Sequence, residues 1–322
     1  MVETQITKLF NIRYPIIQGG LQGLGTSALV SAVSNAGGLG LITAGSYGTK
    51  EEMVRDIEAT RSLTDQPFGV NIAIGTRKSM DEFVEGTIEA RVPIVFTSGN
   101  NPTPYMADLK AAGMKVVHVA PSVRFAKKAE SLGCDAVVVN GFECGGHPGM
   151  EDTTSLTLVQ KAVKELSVPV IAAGGFSTGR SVLAALALGA QGVQMGSRFL
   201  LSKEVQLPQR LKDSLREASE TDTILVKRSI GRTARVFKTE HAMELARLEE
   251  QGATFEEIFP YISGEAYEEM LKTGNSDVGV LSLGQTIGLI DEIKSVAEII
   301  EEIMTDYQTA LNQLVNLQSA VR

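Results

Sequence analysis

Residues 169–199, PVIAAGGFSTGRSVLAALALGAQGVQMGSRF, decide the fold. An apolar, β-branched run ends in Gly174-Gly175, Ser177 to Arg180 open a helical stretch, and a second apolar run begins at Gly192. A strand that is apolar at successive positions is buried on both faces. Its link through a helix to another such strand is the repeating unit of a parallel sheet. Outward from this stretch the same unit recurs, with apolar runs at 15–19, 39–45, 68–74, 93–99, 115–121 and 136–141 before those at 169–175 and 192–199. The intervening stretches have helical spacing: Val123, Ala126, Ala129 and Leu132 share one stripe of 122–132, and Leu158, Ala162, Val163 and Leu166 one side of 154–166. Eight βα units in succession predict an α/β protein of the TIM (β/α)8 barrel type, because an open doubly wound sheet usually stops at about six strands.

After Leu201 the pattern changes. Residues 202–275 read as helical and charged with no strand period, which predicts a smaller, mostly helical second domain over the substrate site. The barrel domain then comprises 1–201 together with 276–322, the latter a glycine-rich apolar stretch (278–290) and a closing helix. Ile293, Val296, Ile300, Ile303, Tyr307, Leu311 and Leu314 draw one apolar seam along that helix, to be packed on the barrel or on a second copy in a homodimer.

Composition excludes several classes. Thirty Lys and Arg against 38 Asp and Glu give a net charge of −8, the wrong sign for nucleic acid or an anionic membrane surface. No apolar run approaches the ~18 residues that span a bilayer, and MVETQITKLF lacks the apolar core of a secretory signal. The two cysteines, Cys134 and Cys144, form neither a disulfide framework nor a metal motif, so the expected home is the reducing cytoplasm. The three histidines are too scattered for a metal site.

Active sites of such barrels lie at the carboxyl ends of the strands, where this chain places mainly small residues. Gly174-Gly175 and Gly196-Ser197 follow the seventh and eighth strands, a pair of loops that often binds phosphate with a helix N-terminus. Glycine turns alone would look the same at either loop; their occurrence at both favours the anion. The loop 141–149, GFECGGHPG, sets His147 over the mouth on what reads as a flexible segment, suited to general acid–base work near neutral pH. Cys144 beside it lacks a third group to orient it as a nucleophile. His118, within a strand, reads as structural and His241, in a charged helix, as solvated. The cluster Lys227, Arg228, Arg232, Arg235 and Lys238 reads slightly better as a solvated face than as an anion site.

Those motifs carry a resemblance. Ile16-Ile17-Gln18-Gly19-Gly20, Ala36-Gly37-Gly38-Leu39-Gly40, Phe68-Gly69-Val70-Asn71, the loop 141–149, Ala173-Gly174-Gly175-Phe176 and Met195-Gly196-Ser197-Arg198-Phe199 occur in order. With Arg232 to Val236, Asp277 to Gly279 and Gly284-Gln285 they make the whole chain similar to the nitronate monooxygenase (2-nitropropane dioxygenase) family. Flavin enoyl-(acyl-carrier-protein) reductases and NADH:quinone reductases share nearly the same motifs. The resemblance implies a barrel holding FMN, with Gln18, Gly19 and Gly20 along the flavin ring and Asn71 hydrogen-bonded to it. Gly145 and Gly146 would pack on the cofactor, Gly174, Gly175, Gly196 and Ser197 would hold its phosphate, and His147 would face its reactive side. It implies oxidation of alkyl nitronates by O₂ to carbonyl compound and nitrite. The alternative is NAD(P)H-dependent reduction of an enoyl thioester or a quinone. Val119 stands where a nitronate-type relative would carry lysine, which suits the reductases, whereas Phe142, Cys144 and Pro148 suit the nitronate and quinone-reductase branch. A sugar-phosphate isomerase would need a Lys, Glu or Asp base at a strand end, and none stands among the strand-end residues.

Overall fold

A computed structural model describes residues 2–75 and 79–319. Eight parallel strands form one sheet: β1 (Ile16–Gln18), β2 (Gly40–Thr43), β3 (Phe68–Ile74), β4 (Ile94–Gly99), β5 (Lys115–Ala120), β6 (Ala136–Asn140), β7 (Val170–Ala173) and β8 (Gly192–Met195). Each pairs with its sequence neighbour, and β1 pairs with β8 in register Ile17↔Gln194. Between β1 and β2 the closure is a single parallel bridge, Ile17↔Leu39, made by Gln18 N–H to Leu39 O and Leu39 N–H to Ile16 O, each 2.9 Å. The fold is a TIM barrel, as the βα repeat predicts.

Two apolar shells follow from strands buried on both faces. Ile17, Leu41, Phe96, Val117, Val138 and Ile171 fill the interior, and the helix Gln5–Phe10 plugs its lower end with Ile6 and Phe10. The second shell lies between sheet and helices and takes in Val296, Ile300, Ile303 and Tyr307. Those four come from the closing helix Val296–Ser319, so its seam packs on the barrel, against the helix Gly179–Ala187. At its far end Leu314 is exposed.

The strand reading runs too long at β8, where Gly196 caps a short helix, Ser197–Leu200. The region 202–275 is not purely helical. It contains an antiparallel pair, β9 (Thr223–Val226) and β10 (Ala234–Phe237), in register Arg235↔Leu225. Four-residue strands are too short to show a period, and the arginine in β10 masks the alternation. With the helices Glu240–Glu250 and Phe255–Ile262, this pair encloses a separate small core of Val226, Ala234, Val236, Ala242, Leu245 and Ile258.

Candidate active site

At the carboxyl end of β1, Gln18 is fully buried. Its Oε1 accepts from Leu41 N–H at 2.9 Å and its Nε2 donates to the Gly19 carbonyl, so its amide stitches β1 to β2 where the barrel is held by one bridge. Gly19 lies against the Gln194 side chain of β8, and a Cβ there would be 3.3 Å from Gln194 Cγ. Gly20 and Asn71, from β1 and β3, meet directly: a Cβ at 20 would lie 2.3 Å from Asn71 Nδ2. Asn71 is buried, whereas Gly20 opens to solvent.

The β7 loop is a tight left-handed turn. Gly174 and Gly175 have φ of 83° and 82°, a left-handed pair that side chains resist. A Cβ on Gly174 would lie 2.7 Å from Gly141 O, so the turn also fits closely beneath the histidine loop. Ser177 beyond it is buried, and among the described residues its hydroxyl has no hydrogen-bond partner. A buried hydroxyl is rarely left without a partner, which fits a ligand oxygen at this point. The helix N-terminus itself is less free than the loop pairing suggests. Ser181 Oγ accepts from Ser177 and Thr178 N–H, both 3.0 Å, Thr178 Oγ1 accepts from Ser181 N–H at 3.2 Å, and Asp306 Oδ2 accepts from Arg180 N–H at 2.7 Å. Any anion here relies on loop amides and the Ser177 hydroxyl. At the β8 end, Ser197 Oγ accepts from Gly284 N–H at 2.9 Å, while the space beside Gly196 is open apart from Leu21 at 3.9 Å.

The histidine loop is pinned, which corrects the reading of it as flexible. Gly146 exchanges backbone hydrogen bonds with Arg235 of β10, at 3.0 and 2.7 Å. Glu143 accepts from Ser155 N–H and Oγ at 3.0 Å, and its carbonyl accepts from Gln285 N–H, also at 3.0 Å. A Cβ on Gly145 would lie 2.7 Å from Gly284 N, so this glycine lets the 282–284 backbone press onto the loop. Gly284 thereby joins the histidine loop to Ser197. The glycines here serve close packing, not motion.

His147 is exposed to water, and its Nε2 lies 3.2 Å from Lys227 Nζ. Burial first, then the charges of Lys227 and Arg232, push its pKa down to about 4. The water-facing edge weakens the burial effect, whereas the two cations act through space in the same direction. The imidazole is therefore neutral at pH 7.

The basic cluster divides. Arg228, Arg232 and Lys238 are exposed, but Arg235 is 4% exposed and Lys227 faces His147, so the reading of a solvated face fails for those two. Arg235 donates through Nε and Nη2 to Phe142 O at 3.2 and 3.1 Å and through Nη1 to Thr223 Oγ1 at 3.0 Å. Its guanidinium also covers the Phe142 ring at 4.5 Å. Lys227, Arg235 and Ser177 are further candidates that sequence reasoning passed over or weighed too lightly. The signal for the first two was a basic run sharing the chain with a loop histidine.

Other candidates resolve as structural. His118 is buried with Nδ1 2.9 Å from Thr97 Oγ1, and burial pushes its pKa down to about 4. His241 is not solvated: Nε2 lies 3.0 Å from Tyr261 O and the two rings are 4.7 Å apart. Burial pushes the Cys144 and Cys134 thiols up to about 12, so neither is a ready nucleophile. Among the described residues no group of His, Cys, Asp and Glu is placed to hold a metal ion, and no helix is long and apolar enough to cross a membrane. The open hollow of about 460 Å³ lined by Gln5, Lys8, Leu9, Asp135 and Pro169 lies away from the strand-end chemistry, beside the plugging helix.

A family model described as nitronate monooxygenase matches residues 3–306. The chain belongs to that family. It is a family of flavin-dependent oxidoreductases. Within it the chain is similar to proteins of different names. It is 33% identical to the (3aS,4S,5R,7aS)-5-hydroxy-7a-methyl-1-oxo-octahydro-1H-indene-4-carboxyl-CoA dehydrogenase of Mycobacterium tuberculosis, over 96% of this chain and 97% of that protein. It is 34% identical to a probable nitronate monooxygenase of Staphylococcus aureus, over 77% of this chain and 81% of the relative. The structure of FabK from Thermotoga maritima superimposes with a TM-score of 0.91 at 38% identity, over 98% of this chain and all of that one.

Proposed function

We propose that this family member binds FMN and oxidises alkyl nitronates with O₂ to carbonyl compound and nitrite, with His147 as its acid–base residue. The observation that carries the proposal is a neutral imidazole at the barrel mouth, on the loop next to the Gly174-Gly175 cradle and the unpartnered Ser177 hydroxyl. The cradle and hydroxyl would take the phosphate, with Gly196 and Ser197 on the adjoining loop. Gln18, Gly19, Gly20 and Asn71 would line the ring on the β1 and β3 side, and Gly145 and Gly146 would cover it from the histidine loop. When bound, FMN supplies the electron exchange. A nitronate has already lost its carbon proton, so the neutral imidazole holds the anion through its N–H, and it accepts a carbon proton only from the neutral nitroalkane that precedes the nitronate. In this reading 202–275 is a lid on the barrel formed by 1–201 and 276–322. The separate core of Val226 to Ile258 supports that for the middle of the segment, as does the Tyr267 hydroxyl, which donates to Gln22 O at 2.6 Å, whereas Leu211, Leu215 and Met270 pack into the barrel's own shell.

The second reading is NAD(P)H-dependent flavin reduction of an acyl thioester or a quinone. It is favoured by the near full-length similarity to a CoA-thioester dehydrogenase and by aliphatic Val119 on β5. An anaerobic titration separates the two: a nitronate, and not NADH, should bleach the flavin band. Bleaching by NADH installs the reductase, and purified protein without a flavin band removes both. His147→Ala should retain FMN and lose turnover by about 10²–10⁴.

A further inference from the structure

Lys227 has a local conformation that the fold holds against its preference. It is one of four non-glycine residues at positive φ among the described residues, at 63°. Such a conformation costs a residue with a Cβ, and it persists only where surrounding contacts over-determine it. Here they do. Glu249 accepts from Lys227 N–H at 2.6 Å, Ser229 N–H at 3.0 Å and Ser229 Oγ at 2.6 Å, and Arg232 N–H closes the turn onto Lys227 O at 3.0 Å. The clamp aims the side chain from the β9–β10 turn across to the barrel's own histidine loop, where Nζ reaches His147 Nε2 at 3.2 Å.

The charges around this contact do not cancel at the imidazole. Glu249 directs its oxygens to the turn's backbone and hydroxyl. Arg228 is ion-paired to Asp152. Lys227 and Arg232 both act on the ring in the same direction, and Lys227 is the one in contact with it. An ammonium has three donors, and in the tautomer with its proton on Nε2 the neutral imidazole places a further donor beside them. Two nitrogens about 3 Å apart can both reach a single oxygen at ordinary hydrogen-bond length.

We propose that Lys227 is a substrate-binding residue that acts with His147 to hold the oxygen on which the substrate's negative charge resides. The site then takes planar oxyanions conjugated to the reacting carbon, which a nitronate is from the outset and an acyl thioester becomes as its enolate. The assignment rests on the reading that His147 faces substrate. Lys227 contributes charge and orientation; no bond is made to it.

The test uses propionate, a planar two-oxygen monoanion, titrated into the purified protein and followed by the His147 imidazole resonances and by calorimetry. Lys227→Asn is the main variant, because asparagine tolerates the left-handed backbone, and Lys227→Arg is the conservative one. Lys227→Asn should weaken propionate binding at least tenfold and let the His147 titration move up from about 4 towards the usual histidine range. Lys227→Arg should retain most of the affinity. Propionate affinity in Lys227→Asn equal to wild type would overturn the proposal, as would an unmoved His147 titration.

These readouts need neither turnover nor flavin, so failure of the wider functional reading is seen separately, in the flavin titration. The kinetic arm distinguishes the source of the oxyanion. A preformed nitronate places the Lys227→Asn loss in KM, whereas a thioester enolate, present only as charge develops, places it in kcat. Unchanged kinetics on both substrates would again count against Lys227.

Discussion

Replacing Arg235 by methionine probes what holds the histidine loop in place. The guanidinium makes two bonds to one acceptor, Phe142 O, a third to Thr223 Oγ1, and a stack on the Phe142 ring. A hydrogen bond from a charged donor is worth about 1.5–3 kcal/mol net, and the stack adds about 0.5–1 kcal/mol. The paired bonds share one oxygen and so count as little more than one. Against this stands the cost of burying the cation, which also depresses its pKa. Methionine removes that cost while filling most of the space left by the side-chain stem. The net loss should be about 2–3 kcal/mol in a urea titration with unchanged slope. Hydrogen exchange at 142–147 should accelerate, because Phe142 O loses its donors on the loop that carries His147. Arg235→Lys should fall in between, since it keeps the charge but not the planar fork. A stability within about 0.5 kcal/mol of wild type, with unchanged exchange in the loop, would refute the view that Arg235 clamps it.

Two further perturbations test the scaffold. A Cβ at Gly179 would lie 2.1 Å from Ile303 O and from Tyr307 N, both backbone atoms, so the closing helix must shift; Gly179→Ala should cost about 1–3 kcal/mol or more by thermal or urea unfolding. Buried His118 has its pKa pushed down to about 4, so below 6.5 the unfolded chain binds the extra proton. Stability should therefore fall as the pH drops from about 6.5 to 4, by about 3 kcal/mol from this residue, and level off below. A His118→Asn variant that keeps the full slope in urea midpoints against pH would contradict that source.

The βα repeat made the barrel legible. Strands buried on both faces must be apolar at every position, and a helix between two of them leaves a parallel sheet as the way to cover both faces. The seam of the closing helix was legible for the same reason, since Val296, Ile300, Ile303 and Tyr307 lie on one helical face and are buried. The β9–β10 pair was not, because its strands are four residues each and their partner residues come from across a turn. The phosphate cradle was half legible. Gly174 and Gly175 stand out in sequence, but that Ser181 and Asp306 already occupy the neighbouring helix amides depends on side chains 126 residues apart for Arg180 and Asp306.

The amino-acid sequence by itself determined the barrel, the rim on which the site lies and His147 as the group to watch, because burial periodicity and glycine placement are local properties of a chain. The tertiary structure alone decided three things: that the glycine-rich loop is pinned, that Arg235 is buried beneath it, and that Lys227 meets His147 80 residues away at 3.2 Å. Charge–charge and charge–imidazole effects depend on separations of a few ångströms, and a linear sequence carries no such distances until the second core folds against the barrel.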